Sequence, residues 1–209
     1  MSATMIEEYR KALHRGERDL RRDASAGVYP YLPALDSVLS PEDTAGEQCL
    51  GTMEIPIEMI AGTRTEGRQR AFSRTFMPVL APNTEFAAKW SSLYDIQVTE
   101  GFRDPIKAYE YMHRFYVQEG NKRVSVMSYV GAYSIEAEVT RLLPRQWDAP
   151  ESRLYGEFLE FWRAVPTYDI EFSHEGSYQR LAALLGRDLT SPWPEDAVRE
   201  LTSTYQYFR

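Results

Sequence analysis

Five consecutive small or polar residues, Glu119-Gly120-Asn121-Lys122-Arg123, separate two apolar segments of this 209-residue chain. The residues before them predict a strand, and those from Lys122 to Val130 predict a helix that Gly131 ends. A strand that enters a helix through a glycine presents unpaired backbone N–H groups at the positive end of the helix dipole. The junction therefore predicts a binding site for an anion such as phosphate.

The side chains of this junction fit that prediction but allow a simpler one. Lys122 and Arg123 stand in the first helical turn, where the dipole disfavours cations unless an anion is bound, and arginine can bind phosphate through two parallel bonds. Spacing alone equally favours Asn121 as an ordinary helix cap between solvated cations. Glu119 could act as a general base or ligate Mg²⁺, or it could be a solvated carboxylate.

A second set of cations lies in the segment "TRTEGRQR", which follows the first predicted strand. Arg64 and Arg68 could close over a bound phosphate, and the alternative is a solvated loop. No two histidines or cysteines have the spacing of metal ligands, so we expect no structural metal site. The cofactor that this pattern allows is a nucleotide with Mg²⁺. His113 falls in a predicted hairpin turn, where we expect it at the surface.

The remaining elements follow from periodicity, caps and turn residues. The segment 61–80 reads as a long loop, and the helix after Asn83 or Thr84 ends at Gly101. In the helix after Gly120, we expect Val124, Met127 and Val130 to face inward. The other predicted elements are a helix over 6–24, a strand within "LGTMEIPIEMI", strands Ile106–Tyr109 and Phe115–Gln118, a strand through Ile135, Ala137 and Val139, and three helices after Pro144.

These elements predict an α+β fold in which a small mixed sheet is flanked by an N-terminal helix and C-terminal helices. The predicted domains are an N-terminal helix and wrap over 1–48, a core over 49–145, and a helical extension over 146–209. Three aromatic residues lie among the last five of the sequence, namely Tyr205, Tyr207 and Phe208. They suggest either that this end is buried or that the sequence belongs to a longer protein. A further alternative is that the C-terminal helices bind a partner domain or a second copy of the chain.

The segment "DPIKAYEYMHRFYVQEGNKRVSVMSYVGAYSIEAEV" resembles the core of the ParB/sulfiredoxin-like superfamily, and "EIPIEMI" resembles its first strand. The resemblance covers roughly residues 52 to 142 and implies a ParB/sulfiredoxin-like core. It also implies that Gly120, Asn121, Lys122 and Arg123 form the phosphate-binding turn of the superfamily. Glu119 falls where its free-serine kinases carry an acidic residue.

Two departures from the superfamily limit the activities that the resemblance implies. Sulfiredoxins need a cysteine inside the turn, whereas this chain has Asn121 there and its single thiol, Cys49, lies elsewhere. Reduction of cysteine sulfinic acid is therefore not expected. The chromosome-partitioning members continue into a helix-turn-helix domain and a second conserved box, neither of which has a convincing match here. A partition-type DNA clamp is not expected either.

The amino-acid composition predicts the cellular compartment of the protein and the class of its binding partners. One cysteine and the absence of an apolar leader or a long uncharged segment predict a cytoplasmic protein without membrane contact. A net charge of −7 argues against nucleic acid as a partner, and DNA binding through the basic stretch 9–22 is the weakest alternative. We expect a phosphate- or nucleotide-binding domain, in its enzymatic form a nucleotide hydrolase or phosphotransferase. The alternative is a non-catalytic regulatory or interaction module.

Overall fold

A computed structural model describes residues 3–208 of the protein, and for residues 3–5, 206 and 208 it describes the backbone alone. The chain divides into two compact units, Met1–Leu143 and Pro144–Arg209. The helices are α1 (Ala3–Ser25), α2 (Glu85–Thr99), α3 (Asn121–Val130), α4 (Pro150–Ala164), α5 (Ser177–Leu184) and α6 (Glu195–Phe208). The strands are β1 (Thr44–Pro56), β2 (Ile60–Thr63), β3 (Ile106–Tyr111), β4 (Arg114–Glu119) and β5 (Ser134–Pro144).

The strands form one mixed sheet in the order β1-β5-β3-β4-β2. The hairpin β3–β4 is antiparallel, whereas β2 runs parallel to β4 and β5 runs parallel to β3. The predicted α+β class, with a mixed sheet, an N-terminal helix and C-terminal helices, is confirmed. The predicted loop 61–80 contains most of β2 and a 3-10 helix, Glu66–Ala71, so the loop prediction was wrong there.

Helices α1, α2 and α3 share an apolar core built around Tyr9 and Trp90, both completely buried. The Trp90 ring lies edge-on to Tyr9 at 5.5 Å, and its Nε1–H donates to Ser125 Oγ at 2.8 Å. Val126 also joins this core, whereas Val130 is 40% exposed. The predicted inward face of α3 was therefore partly wrong, because packing against α1 and α2 selects the face that is buried.

Caps and turns fix where α2 begins and ends. The Thr84 side chain accepts the Ala87 N–H at 3.2 Å, and Gly101, with a φ of 77°, donates its N–H to Ile96 O at 3.0 Å. These are a side-chain cap and a left-handed C-terminal glycine, as predicted. They set the position at which α2 lies beside the start of α3.

The second unit holds α4, α5 and α6 around an aromatic core that includes Tyr155, Phe158, Phe161 and Tyr178. Leu184 and Tyr207 are each 85% exposed, and the Phe208 side chain lies outside the described residues. A partner domain or a second copy bound through these helices stays a prediction. Within the described residues, no helix is both long enough and apolar enough to cross a bilayer.

Candidate functional site

The junction between β4 and α3 is built around Gly120. Strand β4 ends at Glu119, α3 begins at Asn121, and Gly120 between them has a φ of 106°. A Cβ atom on Gly120 would lie 2.5 Å from Ile106 Cγ2, so the close approach to β3 also requires glycine. Gly120 thus occupies the helix cap, and Asn121, read as a cap in the simpler interpretation, is the first helical residue. The strand–glycine–helix junction is confirmed.

A cavity of about 680 Å³ lies where this junction meets one side of α2. The predicted residues Glu119, Gly120, Asn121, Lys122, Arg123 and Arg68 all line it. The other lining residues are Phe86, Ala88, Lys89, Ser92, Leu93 and Gln118. The start of α3 therefore forms part of a concave surface of a size typical for small-molecule sites.

The Lys122 ammonium group lies over an aromatic ring and beside other cations. Its Nζ is 4.9 Å from the centroid of the Phe86 ring. Burial lowers the pKa of Lys122, and the nearby charges of Arg68 and Lys89 lower it further. Within the described residues, neither Lys122 nor Arg68 has a carboxylate within ion-pair distance, whereas Lys89 pairs with Glu85 at 2.6 Å. Lys122 and Arg68 thus lack an ion pair, although the more distant Glu85 carboxylate acts on Lys122 in the opposite direction and raises its pKa, and Arg68 is exposed to water.

Arg123 has a structural role at the same junction. Its Nη1 donates to the backbone carbonyl oxygens of Asp104 and, at 3.1 Å, Pro105. These bonds tie the start of α3 to the segment that connects α2 with β3. Arg123 therefore holds the wall of the cavity together, and it is itself one of the lining residues.

Arg64 lies outside the cavity lining. Its Nε is 3.1 Å from Asp36 Oδ1, and its guanidinium carbon lies 4.6 Å from the centroid of the Tyr109 ring. The structure thus separates the two arginines that the sequence placed together, because Arg64 directly follows β2 whereas Arg68 lies inside the short helix Glu66–Ala71. Arg68 faces the cavity, and Arg64 stabilises the packing of the wrap on the sheet.

Glu119 is exposed and is the single carboxylate among the described lining residues. A magnesium ion here would have Glu119 and the oxygens of a phosphate as ligands, a combination that Mg²⁺ accepts. No cluster of three or more acidic, histidine or cysteine side chains suited to a metal occurs within residues 3–208. Asn121 Oδ1 is buried and has no hydrogen-bond partner in the described part of the chain.

Sequence reasoning missed the α2 side of the cavity. Phe86, Lys89 and Leu93 follow a spacing of three and four residues and so share one helical face. Phe86 and Leu93 pack partly against the core around Tyr9 and Trp90, and they line the cavity as well. A lysine between two apolar residues of one face was the available signal that this face borders a solvent-filled cavity.

Cys49 is exposed on β1. Strands β5 and β3 lie between β1 and β4 in the sheet, and Cys49 is not among the residues that line the cavity. The expectation that the thiol lies away from the Gly120 turn is met.

Comparisons with known proteins give one weak structural similarity. No family model matches the chain, and no match was found among curated proteins. A sulfiredoxin from Arabidopsis thaliana is a structural neighbour with a TM-score of 0.31 and 19% sequence identity, and the similarity covers 42% of this chain and 82% of the sulfiredoxin. The α+β class therefore rests on the elements and the sheet described above.

Proposed function

We propose that the cavity at the start of α3 binds a phosphate-bearing ligand, with nucleotides as the expected class. One observation carries the proposal: Arg68 and Lys122 face the cavity without a carboxylate partner in the described chain. The N–H groups of the first turn of α3 add donors and the positive end of the helix dipole. Both features favour an anion with several oxygen acceptors.

The electrostatics of the free protein support the same ligand. The lowered pKa of Lys122 means that its positive charge is less favourable in the folded chain than in water. A bound phosphate would offset this effect, because its negative charge attracts the Lys122 ammonium group and compensates for the burial and for the repulsion from Arg68. Hydrogen bonds between charged groups contribute roughly 1.5–3 kcal/mol each, so two of them supply about 3–6 of the roughly 8 kcal/mol that micromolar binding requires, and apolar contacts have to supply the rest.

The apolar part of the cavity suits the remainder of such a ligand. Phe86 and Leu93, both half-buried, lie on the α2 wall of the cavity. A base or sugar can contact these side chains while the phosphates of the same ligand reach the cations. A lining that combines apolar side chains with cations favours a nucleotide over inorganic phosphate.

Turnover and family membership are further parts of the proposal. Glu119 lines the cavity and is exposed, so it could accept a proton from water or from a hydroxyl acceptor, or ligate Mg²⁺. A nucleotide hydrolase or phosphotransferase of the ParB/sulfiredoxin-like superfamily fits these residues, on the strength of the sequence pattern. We propose the cytoplasm as its location because the chain has a single cysteine.

Binding can be tested by calorimetry and thermal shift with ATP, ADP, CTP, GTP and phosphate, each with and without Mg²⁺. We expect at least one nucleotide to raise the melting temperature by mass action. Lys122→Ala and Arg68→Ala should each weaken its affinity about tenfold. Arg103→Ala is the matched control, because Arg103 is an 81% exposed cation that pairs with Glu100 and lies outside the cavity. A parent protein that binds none of these ligands would refute the proposal.

The role of Glu119 is tested separately. Glu119→Gln should leave nucleotide binding intact and should abolish most of any phosphate release or transfer. Arg123→Ala should also weaken binding about tenfold or more, but it removes the bonds to Asp104 and Pro105 as well, so its stability has to be measured beside its affinity. A nucleotide that is bound but never converted, in the parent and in Glu119→Gln alike, would make the protein a binding module and not an enzyme.

A further inference from the structure

A second cavity, of about 590 Å³, lies at the C-terminal end of α3. Its walls are the end of α3 with Ser128 and Gly131, residues of the segment 57–60, and the turn 74–77. The Ile57 N–H donates to the Tyr133 carbonyl oxygen at 2.9 Å, which joins two of these walls. None of the described residues that line the first cavity lines this one as well, so the two are separate sites in the first unit.

Large apolar side chains contribute much of the lining of this second cavity. Ile60, Phe76 and Met77 are almost completely buried, Ile57 is half-buried, and Tyr133 is 54% exposed. The turn that carries Phe76 is held by two backbone bonds, from the Phe76 N–H to the Ser73 carbonyl at 3.0 Å and from the Ser73 N–H to the Met77 carbonyl at 2.8 Å. An apolar group of a ligand can therefore replace water on a fixed apolar surface.

Two side chains of opposite charge line the same cavity and do not form an ion pair with each other. Arg74 and Glu58 are both exposed. In the part of the chain that the structure describes, Arg74 has no carboxylate within ion-pair distance, that of Glu58 included. A gap thus separates a cation from a carboxylate on one concave surface. The cavity also lies at the end of α3 where the helix dipole is negative, which favours a cationic group of a ligand.

We propose that this cavity binds a free amino acid with an apolar side chain, such as leucine, methionine or phenylalanine. The guanidinium group of Arg74 binds the α-carboxylate through two parallel hydrogen bonds, and Glu58 binds the α-ammonium group. The side chain of the ligand contacts the apolar lining. An amino acid carries both charges on one carbon atom, so it can bridge the gap between Arg74 and Glu58, which a simple carboxylate or a simple amine cannot do. This site is independent of the proposed function.

Calorimetry with leucine, isoleucine, methionine and phenylalanine tests the proposal. The probes are the free amino acids, their N-acetyl derivatives, which lack the ammonium group, and their amides, which lack the carboxylate. We expect at least one free amino acid to bind, and both of its derivatives to bind at least about tenfold more weakly. If none of the four binds at millimolar concentration, the proposal is wrong. A derivative that binds as tightly as the free amino acid also overturns it, and identifies the end of a peptide as the ligand instead.

Variants test the two charged residues one at a time. Arg74→Gln and Glu58→Gln should each weaken the binding of the amino acid at least about tenfold. Arg70→Gln and Glu54→Gln are the matched controls, because they remove the same charges from exposed residues outside the lining and should bind as the parent does. Urea unfolding of all four variants checks that they are folded. Unchanged affinity in Arg74→Gln or in Glu58→Gln, or an equal loss in the controls, would contradict the proposal.

Discussion

The two ends of the β3–β4 hairpin differ in whether their charged side chains form ion pairs. At the hairpin turn, the Arg141 Nε donates to Glu110 Oε2 at 2.5 Å, and both side chains are almost completely buried. The second oxygen of Glu110 accepts the backbone N–H of His113 at 3.0 Å. Every charge in this buried group therefore has an opposite charge or a hydrogen bond beside it.

At the other end of the same strands, the cavity holds Lys122 and Arg68 without a carboxylate partner among the described residues. Burying a charge is costly unless it is paired, and the hairpin end obeys this rule. At the cavity end, Arg68 is exposed and Lys122 is half-buried, so water solvates these charges in place of a carboxylate. The charges at the hairpin end thus stabilise the fold, whereas those at the cavity end are accessible from solvent, as the proposed ligand requires.

The largest effect is expected from breaking the buried pair. Arg141→Met should lower the free energy of unfolding by about 3–5 kcal/mol, because it leaves the Glu110 carboxylate buried beside an apolar group. The double variant Glu110→Leu with Arg141→Met should recover most of this loss. Urea unfolding at neutral pH measures both. A single variant as stable as the parent would show that the hairpin end does not depend on this pair.

Two glycines at the ends of α3 give the next effect. Gly120→Ala should lower the free energy of unfolding by about 3 kcal/mol. The alanine would have to adopt a left-handed backbone conformation, and its Cβ would clash with Ile106. Gly131→Ala is the matched control: its φ is 74° and its Cβ would meet open space, so we expect a loss of about 1 kcal/mol. Equal losses in urea unfolding would mean that the close approach of the turn to β3 is unimportant.

Much of the cavity end could be predicted because its signals are local. Glu119-Gly120-Asn121 combines the end of an apolar run, a glycine and the start of a helical pattern, and these set the boundaries within one residue. Strand β2 could not be predicted in this way. It has four residues, and Ile60 lies beside Phe115, a pairing 55 residues apart in the sequence that no local pattern records.

The wrong prediction for His113, at the hairpin end, also arises from contacts between residues that are far apart in the sequence. His113 was expected at the surface because it lies in a tight turn, yet it is 7% exposed. Its φ is 67°, and its backbone N–H donates to Glu110, the same carboxylate that accepts from the buried Arg141, 28 residues further along the chain than His113. The partner of Arg64, Asp36, is likewise 28 residues away, so spacing could not distinguish Arg64 from Arg68.

Substitutions of Arg64 and Arg68 should have opposite effects on nucleotide affinity and on stability. Arg68→Ala should weaken nucleotide affinity about tenfold, or about 1.4 kcal/mol, and change the stability by less than about 0.5 kcal/mol. Arg64→Ala should do the reverse: it loses the contacts with Asp36 and Tyr109, which together stabilise by about 1 kcal/mol, and spares binding. Calorimetry and urea unfolding of both variants provide the test. An equal loss of affinity in both would mean that the segment acts as a whole.

The smallest effect concerns the pH dependence of stability, where Lys122 and Lys11 should differ in sign. The pKa of Lys122 is lowered, so between that pKa and the ordinary lysine value of about 10.4 the unfolded chain binds more protons, and Lys122 makes stability rise with pH. Hydrogen bonding to Glu8 raises the pKa of Lys11, so its contribution is lost as the pH rises above about 10.4. Arginine remains charged throughout this range.

Unfolding measurements from pH 8 to 11.5 on the parent, Lys122→Arg and Lys11→Arg isolate the two contributions, because all other titrating groups cancel. Relative to Lys122→Arg, the parent should gain stability as the pH rises, by less than about 1 kcal/mol, since the side chain is partly exposed and water screens its charge. Relative to Lys11→Arg, the parent should lose stability above about pH 10.4. A saturating nucleotide should abolish the gain at Lys122, because phosphate stabilises the charged amine. If the gain persists with nucleotide bound, the ligand lies elsewhere than at the start of α3.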